Sequence, residues 1–276
     1  MKRPLVITDC DEVLLHMIGP FRDWLGEAQD IDFNMIGNDF AHAMRYRGTG
    51  ELVETQEIWR LLNAFFDTEM HRQNPIAGAV NAMRTLGEHA DIVVLTNVGD
   101  QHRENRVRQL LDHGLGLKVY TNLGPKGPAL QRIIAEFAPA RTVFIDDLAQ
   151  HHGSVAELAP DVARLHLCGE PLLAPHIPCA HEAGHAHARI DDWNSALPWL
   201  LRRVAGWEVA SGVGPLLAAR PLDLAALGLW AGVAVVAILG PLHPLAAVAA
   251  ACLVVPPLLL PVTLGVVDRL ALVCLA

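Results

Sequence analysis

Positive charge is scarce in this 276-residue chain: 21 Lys+Arg stand against 30 Asp+Glu, a net −9 with histidine neutral. That balance argues against a dedicated nucleic-acid binder. Charge of either sign is thin, at 18% of residues against 52% hydrophobic, which excludes a disordered chain. Cysteine is sparse as well. Cys10, Cys168, Cys179, Cys252 and Cys274 form no CxxC pair and no even framework, so the chain reads as reduced and intracellular rather than disulfide-stapled. The beginning lacks the apolar core of a signal peptide, because Met1-Lys2-Arg3-Pro4 is followed only by Leu5-Val6-Ile7 before Asp9 and Asp11. Export of this part is not expected.

What is abundant is apolar residue, and it is unevenly placed. Between Leu224 and Val267 the only readily charged side chain is His243. Leu224 to Leu242 gives 19 residues without charge and Leu245 to Val267 gives 23, against the ~20 that cross a bilayer core. Gly240-Pro241-Leu242-His243-Pro244 forms the joint, a helix stop and tight turn. Arg202, Arg203 and Arg220 precede the first run and Arg269 follows the second, which would leave both flanks on the cytoplasmic side. The expectation is a membrane hairpin at 222–276 that anchors a cytoplasmic domain to the inner face of the membrane. Residues 206–221 would be its linker. Pro256-Pro257 and Pro261 sit inside the second run and weigh against a complete second span.

The first 200 residues alternate short β-branched runs with helical spacing, the signature of a parallel α/β sheet. Strands are predicted at Leu5–Thr8, Ile92–Thr96, Leu117–Tyr120, Thr142–Ile145 and Arg164–Leu167. Helical spacing runs through Ile76–His89, Gln101–His113, Pro128–Phe137 and Ser154–Leu158. No convincing strand lies between His16 and Asn74, whereas Thr55–Met70 places Ile58, Leu61, Leu62, Phe65 and Phe66 on one helical side. An all-helical insertion, a cap over about 16–74, is therefore expected.

Three of the predicted strands end in polar residues: Asp9-Cys10-Asp11, Thr96-Asn97 and Asp146-Asp147. Reacting groups in open α/β sheets gather at the carboxyl edge of the strands. One DxD alone is most simply a surface turn. A DxD, a Thr and an acidic pair, each ending a separate apolar strand, is harder to assign to chance. Several carboxylates in one cleft call for a cation, and hard oxygen ligands suit Mg²⁺.

The order and spacing of these segments resemble the haloacid dehalogenase-like superfamily of phosphohydrolases over roughly residues 4–200. Its strand followed by DxDx[TV] is similar to Leu5-Val6-Ile7-Thr8-Asp9-Cys10-Asp11-Glu12-Val13. Its strand ending in Thr or Ser is similar to Val93-Val94-Leu95-Thr96-Asn97, its helix-start lysine to Lys126, and its acidic pair to Asp146-Asp147 after Phe144-Ile145. Glu12 stands where the family usually has glycine, and Gln150, His151 and His152 follow the acidic pair where a further acid is common.

The resemblance implies a Rossmann-like parallel sheet with a helical cap, residues 1–205 forming the hydrolase domain. It implies a Mg²⁺-dependent phosphatase acting on a small phosphorylated metabolite through an aspartyl phosphate. Asp9 would be the nucleophile and Asp11 the general acid and base; true dehalogenases lack this second aspartate. Thr96 and the Asn97 amide would hold the phosphoryl oxygens and Lys126 would neutralise charge. Asp9, the Asp11 carbonyl and Asp146 would hold the metal, with Asp147 beside it. Arg45 and Arg47, with Tyr46 in the expected cap, are candidates for binding the rest of an anionic substrate. His16, His151 and His152 lie near the motifs, with packing as their simplest role. Cys168, His176, Cys179, His181, His185 and His187 crowd one stretch without zinc-site spacing and read as a loop. A phosphomutase or phosphotransferase of the same superfamily is the enzymatic alternative. A membrane-tethered protein that binds a phosphorylated ligand without turnover is the other.

Overall fold

The computed structural model describes residues 2–35 and 39–206. The membrane hairpin expected at 222–276 and the linker beyond Gly206 lie outside the described residues. Among the described residues no helix is long and apolar enough to cross a membrane.

The chain begins with β1 (Leu5–Thr8) and runs at once into an inserted segment: α1 (Ile18–Ala28), β2 (Ile31–Phe33), β3 (Met44–Tyr46) and α2 (Thr55–Thr68). After it come α3 (Ala79–Gly87), β4 (Asp91–Thr96), α4 (Arg103–Asp112), β5 (Lys118–Thr121), α5 (Gly127–Phe137), β6 (Thr142–Asp146), α6 (Ala149–Leu158), β7 (Ala163–His166), β8 (Ala188–Arg189) and α7 (Trp193–Ala205). Six strands make one sheet in the order β5-β4-β1-β6-β7-β8, every pair parallel. The five predicted strands are all present, and the two-residue β8 is an addition too short to carry a pattern.

Both faces of this sheet are covered, which explains why β1, β4 and β6 read as continuous apolar runs. Alternation divides each strand between two cores. Val6, Val94, Val143 and Ile145 pack with Met83 of α3, Leu110 of α4 and Trp193 and Leu200 of α7. Leu5, Ile7, Val93, Leu95 and Phe144 pack on the other side with Leu130 and Ile133 of α5 and Val155 of α6. A close approach seats α7: Gly78, at φ +86°, precedes α3, and a Cβ there would stand 3.0 Å from that of Trp193.

The inserted segment has its own core, built from Phe21, Trp24 and Leu25 of α1, Ile31, Met44, and Ile58, Leu61, Leu62 and Phe65 of α2. It is not all-helical, as the sequence suggested. β2 and β3 pair antiparallel, Ile31 with Tyr46 and Phe33 with Met44. Three residues per strand give a period-2 pattern too few repeats to stand out, so the hairpin was invisible to periodicity. The predicted α2 face is the buried one, except that Phe66 is only partly covered.

Candidate active site

The sheet order places β1 between β4 and β6, where the chain, having built outward to β5, returns to the other side. That switch is where an open α/β sheet leaves a crevice at its carboxyl edge. Thr8 lies level with Val94 of β4 and with Ile145 of β6. Asp9, Thr96 and Asp146 therefore emerge together from three adjacent strands. The Asp9 amide donates to Ile145 O at 2.8 Å, which fixes the height of Asp9 against β6. Beyond it the chain turns tightly, with Cys10 O accepting from the amides of Leu14 and Leu15 at 2.7 and 2.9 Å. Trp193 of α7 braces that turn by donating from Nε1 to Val13 O at 2.7 Å.

Lys126, at the start of α5, is fully buried between two of these carboxylates. Its Nζ stands 2.8 Å from Asp9 Oδ2 and 2.6 Å from Asp146 Oδ2. The remaining oxygens are held by backbone: Cys10 N–H donates to Asp9 Oδ1 at 2.7 Å and Leu148 N–H to Asp146 Oδ1 at 2.9 Å. One ammonium is too little for three acids. Asp9, Asp146 and Asp147 are all buried, and one carboxylate oxygen from each lies within 4.8 Å of the others.

Burial pushes the Asp9 carboxyl up to about 7; Lys126 pulls against that rise, while Asp146 and Asp11 add to it. Burial, and then the charges of Asp146 and Asp9, hold Asp147 well above the usual carboxylate range. Asp146 goes the other way, lowered by Lys126 and its neighbouring histidines despite burial. Three clustered hard oxygens of this kind fit a divalent cation such as Mg²⁺. Thr96 adds a buried hydroxyl that has no hydrogen-bond partner among the described residues, at the end of the neighbouring strand.

No family model matches this sequence and no curated protein matches it. Solved structures do match in fold. A haloacid dehalogenase-like hydrolase from Streptococcus pneumoniae superposes with a TM-score of 0.51 at 9% identity, over 72% of this chain and 98% of its own. A hydrolase of the same family from Deinococcus radiodurans R1, solved with bound phosphate and sodium, gives 0.51 at 19% identity over 73% and 96%. A predicted phosphoglycolate phosphatase from Haemophilus somnus 129PT gives 0.51 at 14% identity over 71% and 97%. The chain has the haloacid dehalogenase-like fold.

Within this fold the predicted residues separate into groups. Asp9, Thr96, Lys126, Asp146 and Asp147 converge as described. Asn97 sits at the rim: its Nδ2 donates to Gly124 O at 2.9 Å and its Oδ1 accepts from Asn122 at 2.9 Å, which ties the loop after β4 to the loop before Lys126. Arg45 and Arg47 bond within the inserted segment instead. Arg45 donates to Gly50 O, and Arg47 pairs with Asp32 and Asp30. His151 and His152 are buried in α6, where His152 Nε2 lies 3.0 Å from Asp146 O, and burial brings the His152 imidazole down to about 4. The Cys/His stretch gathers no metal cluster of its own among the described residues. His181 bonds to Ala186 O and His187 to the Arg164 amide.

Asp11 carries what sequence reasoning missed. Nη2 of the fully buried Arg106 reaches both Asp11 oxygens at 2.8 Å, and Gln73 Nε2 donates to Oδ1 at 2.7 Å. Arg106 Nη1 in turn donates to Gln109 at 2.9 Å and Gln73 at 3.2 Å. Burial alone would lower the guanidinium's proton affinity, but the Asp11 charge outweighs it and raises it. A signal did exist: Arg106 and Gln109 share the inward helical face with Leu110, where apolar residues belong.

Proposed function

We propose that the protein is a phosphohydrolase that cleaves a small phosphomonoester through an aspartyl phosphate on Asp9. The observation that carries this reading is the buried Lys126 bridging Asp9 and Asp146, with the Thr96 hydroxyl, which has no partner among the described residues, ending the strand next to β1. It is a cationic and hydroxylic cradle set against an oriented carboxylate, and phosphoryl transfer depends mostly on such positioning and charge stabilisation. Asp9, Asp146 and Asp147, with the Asp11 carbonyl, would hold Mg²⁺, which supplies charge neutralisation for the acids and the phosphoryl oxygens.

An Asp9 oxygen attacks phosphorus while the bond from phosphorus to the substrate oxygen breaks, and Asp11 supplies the proton that the leaving oxygen takes up. Water then attacks the aspartyl phosphate, its proton passes to Asp11, and inorganic phosphate leaves with Asp9 regenerated. Thr96 and the Asn97 amide would hold the phosphoryl oxygens, and Lys126 would offset their charge. Asp11 has to leave Arg106 and Gln73 and take up a proton from solvent before it can supply one to the leaving oxygen. Arg45 pairs with a neutral carbonyl and keeps a charge to offer the remainder of the substrate, whereas Arg47 is engaged by two aspartates.

That same engagement of Asp11 favours a second reading, a protein that binds a phosphorylated ligand without turnover. Phosphate release from a panel of phosphomonoesters, with Mg²⁺ and with EDTA, separates the two. The hydrolase reading expects release that requires the metal and is lost in Asp9→Asn and Asp11→Asn. Tight binding without release, unchanged in Asp11→Asn, would replace it with the binder; release in Asp9→Asn would remove the nucleophile assignment. Attachment to a membrane through 222–276 rests on the composition of that segment, and fractionation of the full chain with and without it is the test.

A further inference from the structure

A second group of metal-ligating side chains lies on the far side of the nucleophile turn. Glu12, where glycine is usual, adopts φ +59°, a conformation that costs a residue with a side chain about 1–3 kcal/mol. Its side chain is directed inward and is 2% exposed. Glu12 Oε1 accepts from the amides of Met17 and Ile18, at 3.0 and 2.6 Å, ahead of α1. Oε2 is buried and has no partner among the described residues. Nearby, Glu170 is also buried, and its Oε2 lies 2.8 Å from Nδ1 of the half-exposed His16. One ligand atom from each of Glu12, His16 and Glu170 lies within 4.8 Å of the others.

Capping α1 does not account for this arrangement. A shorter Ser, Thr or Asp caps a helix without left-handed backbone, and a buried carboxylate oxygen without a partner is costly. Two buried glutamates with ligand oxygens this close also add repulsion. A cation between them would offset the desolvation and the repulsion and complete Oε2. Mg²⁺ and Ca²⁺ take oxygen ligands, while an imidazole with two carboxylates suits Zn²⁺, with water at the fourth position. His16, with 30% of its side chain exposed, leaves a path from solvent.

We propose that Glu12, His16 and Glu170 form a Zn²⁺ site that shares no residue with the Asp9, Asp146 and Asp147 cluster. Its ligands come from the nucleophile turn, the start of the inserted segment and the loop after β7. The ion would pin these three strands of chain together, a junction already begun by the Gly169 amide donating to Glu12 O at 2.7 Å.

The test is calorimetric titration of Zn²⁺ into the chelator-stripped full chain, with Co²⁺ as a visible-absorption probe of the same site. One tight equivalent is expected, kept in Asp146→Asn and weakened about a hundredfold or more in Glu12→Gln and in Glu170→Gln. His16→Ala, at a half-exposed position, gives a variant whose folding does not depend on a buried acid and is expected to lose the Co²⁺ band. Circular dichroism of each metal-free variant establishes that it is folded. Absence of tight Zn²⁺ binding, affinity unchanged in Glu12→Gln and His16→Ala, or loss confined to Asp146→Asn would each overturn the site. Asp9→Asn decides the hydrolase reading and leaves this titration as it is in the unaltered chain.

Discussion

Replacing Arg106 by Met tests whether the ion pair beneath the site is structural. The substitution keeps an unbranched apolar stem and removes the guanidinium. Two contacts of 2.8 Å to Asp11 disappear with it, along with those to Gln109 and Gln73. Arg106 is fully buried and the Asp11 side chain is 16% exposed, so the abandoned carboxylate has little water to turn to. Removing one member of a buried pair typically costs about 3–5 kcal/mol, because the other charge is left uncompensated. Against a usual stability of about 5–15 kcal/mol that is a large fraction. Urea unfolding of the full chain, followed by tryptophan fluorescence, measures the loss. Arg106→Met with Asp11→Asn should recover part of it, a coupling of about 1.5–3 kcal/mol. A loss below about 1 kcal/mol in the single variant, or strict additivity in the double, would refute the account.

Other outcomes are expected from the proposed roles and from packing. Arg45→Ala should raise KM about tenfold with kcat little changed, the mark of lost binding outside the reacting centre; Arg47→Ala should leave KM within about threefold, since its charge is already paired. His152 should make stability fall with acid. Its imidazole drops from the ordinary 6.5 to about 4 on burial, so the unfolded chain takes up the proton first. The stability is intact above pH 6.5 and is lost as pH falls toward 4, by about 3 kcal/mol at most. Unfolding curves of His152→Asn should show a flatter slope over that window. Gly78→Ala should cost about 2 kcal/mol in urea unfolding, from its left-handed backbone and the 3.0 Å approach to Trp193.

What could be read from the sequence, and what could not, divides by the range of the interaction. Strands flanked by helices on both faces announce themselves as apolar runs, so β1, β4 and β6 and the polar residues that end them were legible. Local order was enough to place Asp9, Thr96 and Asp146 at one edge, whereas Lys126 was marked only by the family resemblance. The β2–β3 hairpin was not legible because three-residue strands hold too little alternation. Arg106 was not legible as Asp11's partner because 95 residues separate them and α4 carries several arginines. Glu170 lies in a stretch crowded with cysteines and histidines, and no local pattern marks it as buried. Glu12 stood out only as a departure from glycine; its positive φ and its unpartnered oxygen are properties of the folded turn.

The indole of Trp193 gives α7 a stake in the shape of the candidate site that its distance along the chain conceals. Its hydrogen bond to Val13 O spans 180 residues and closes the domain like a clasp, fastening α7 to the turn that carries Asp9 and Asp11. A fragment ending after β8 would contain every residue assigned to chemistry and still leave that turn without its outer wall. The smallest fragment that keeps this turn braced therefore runs through α7.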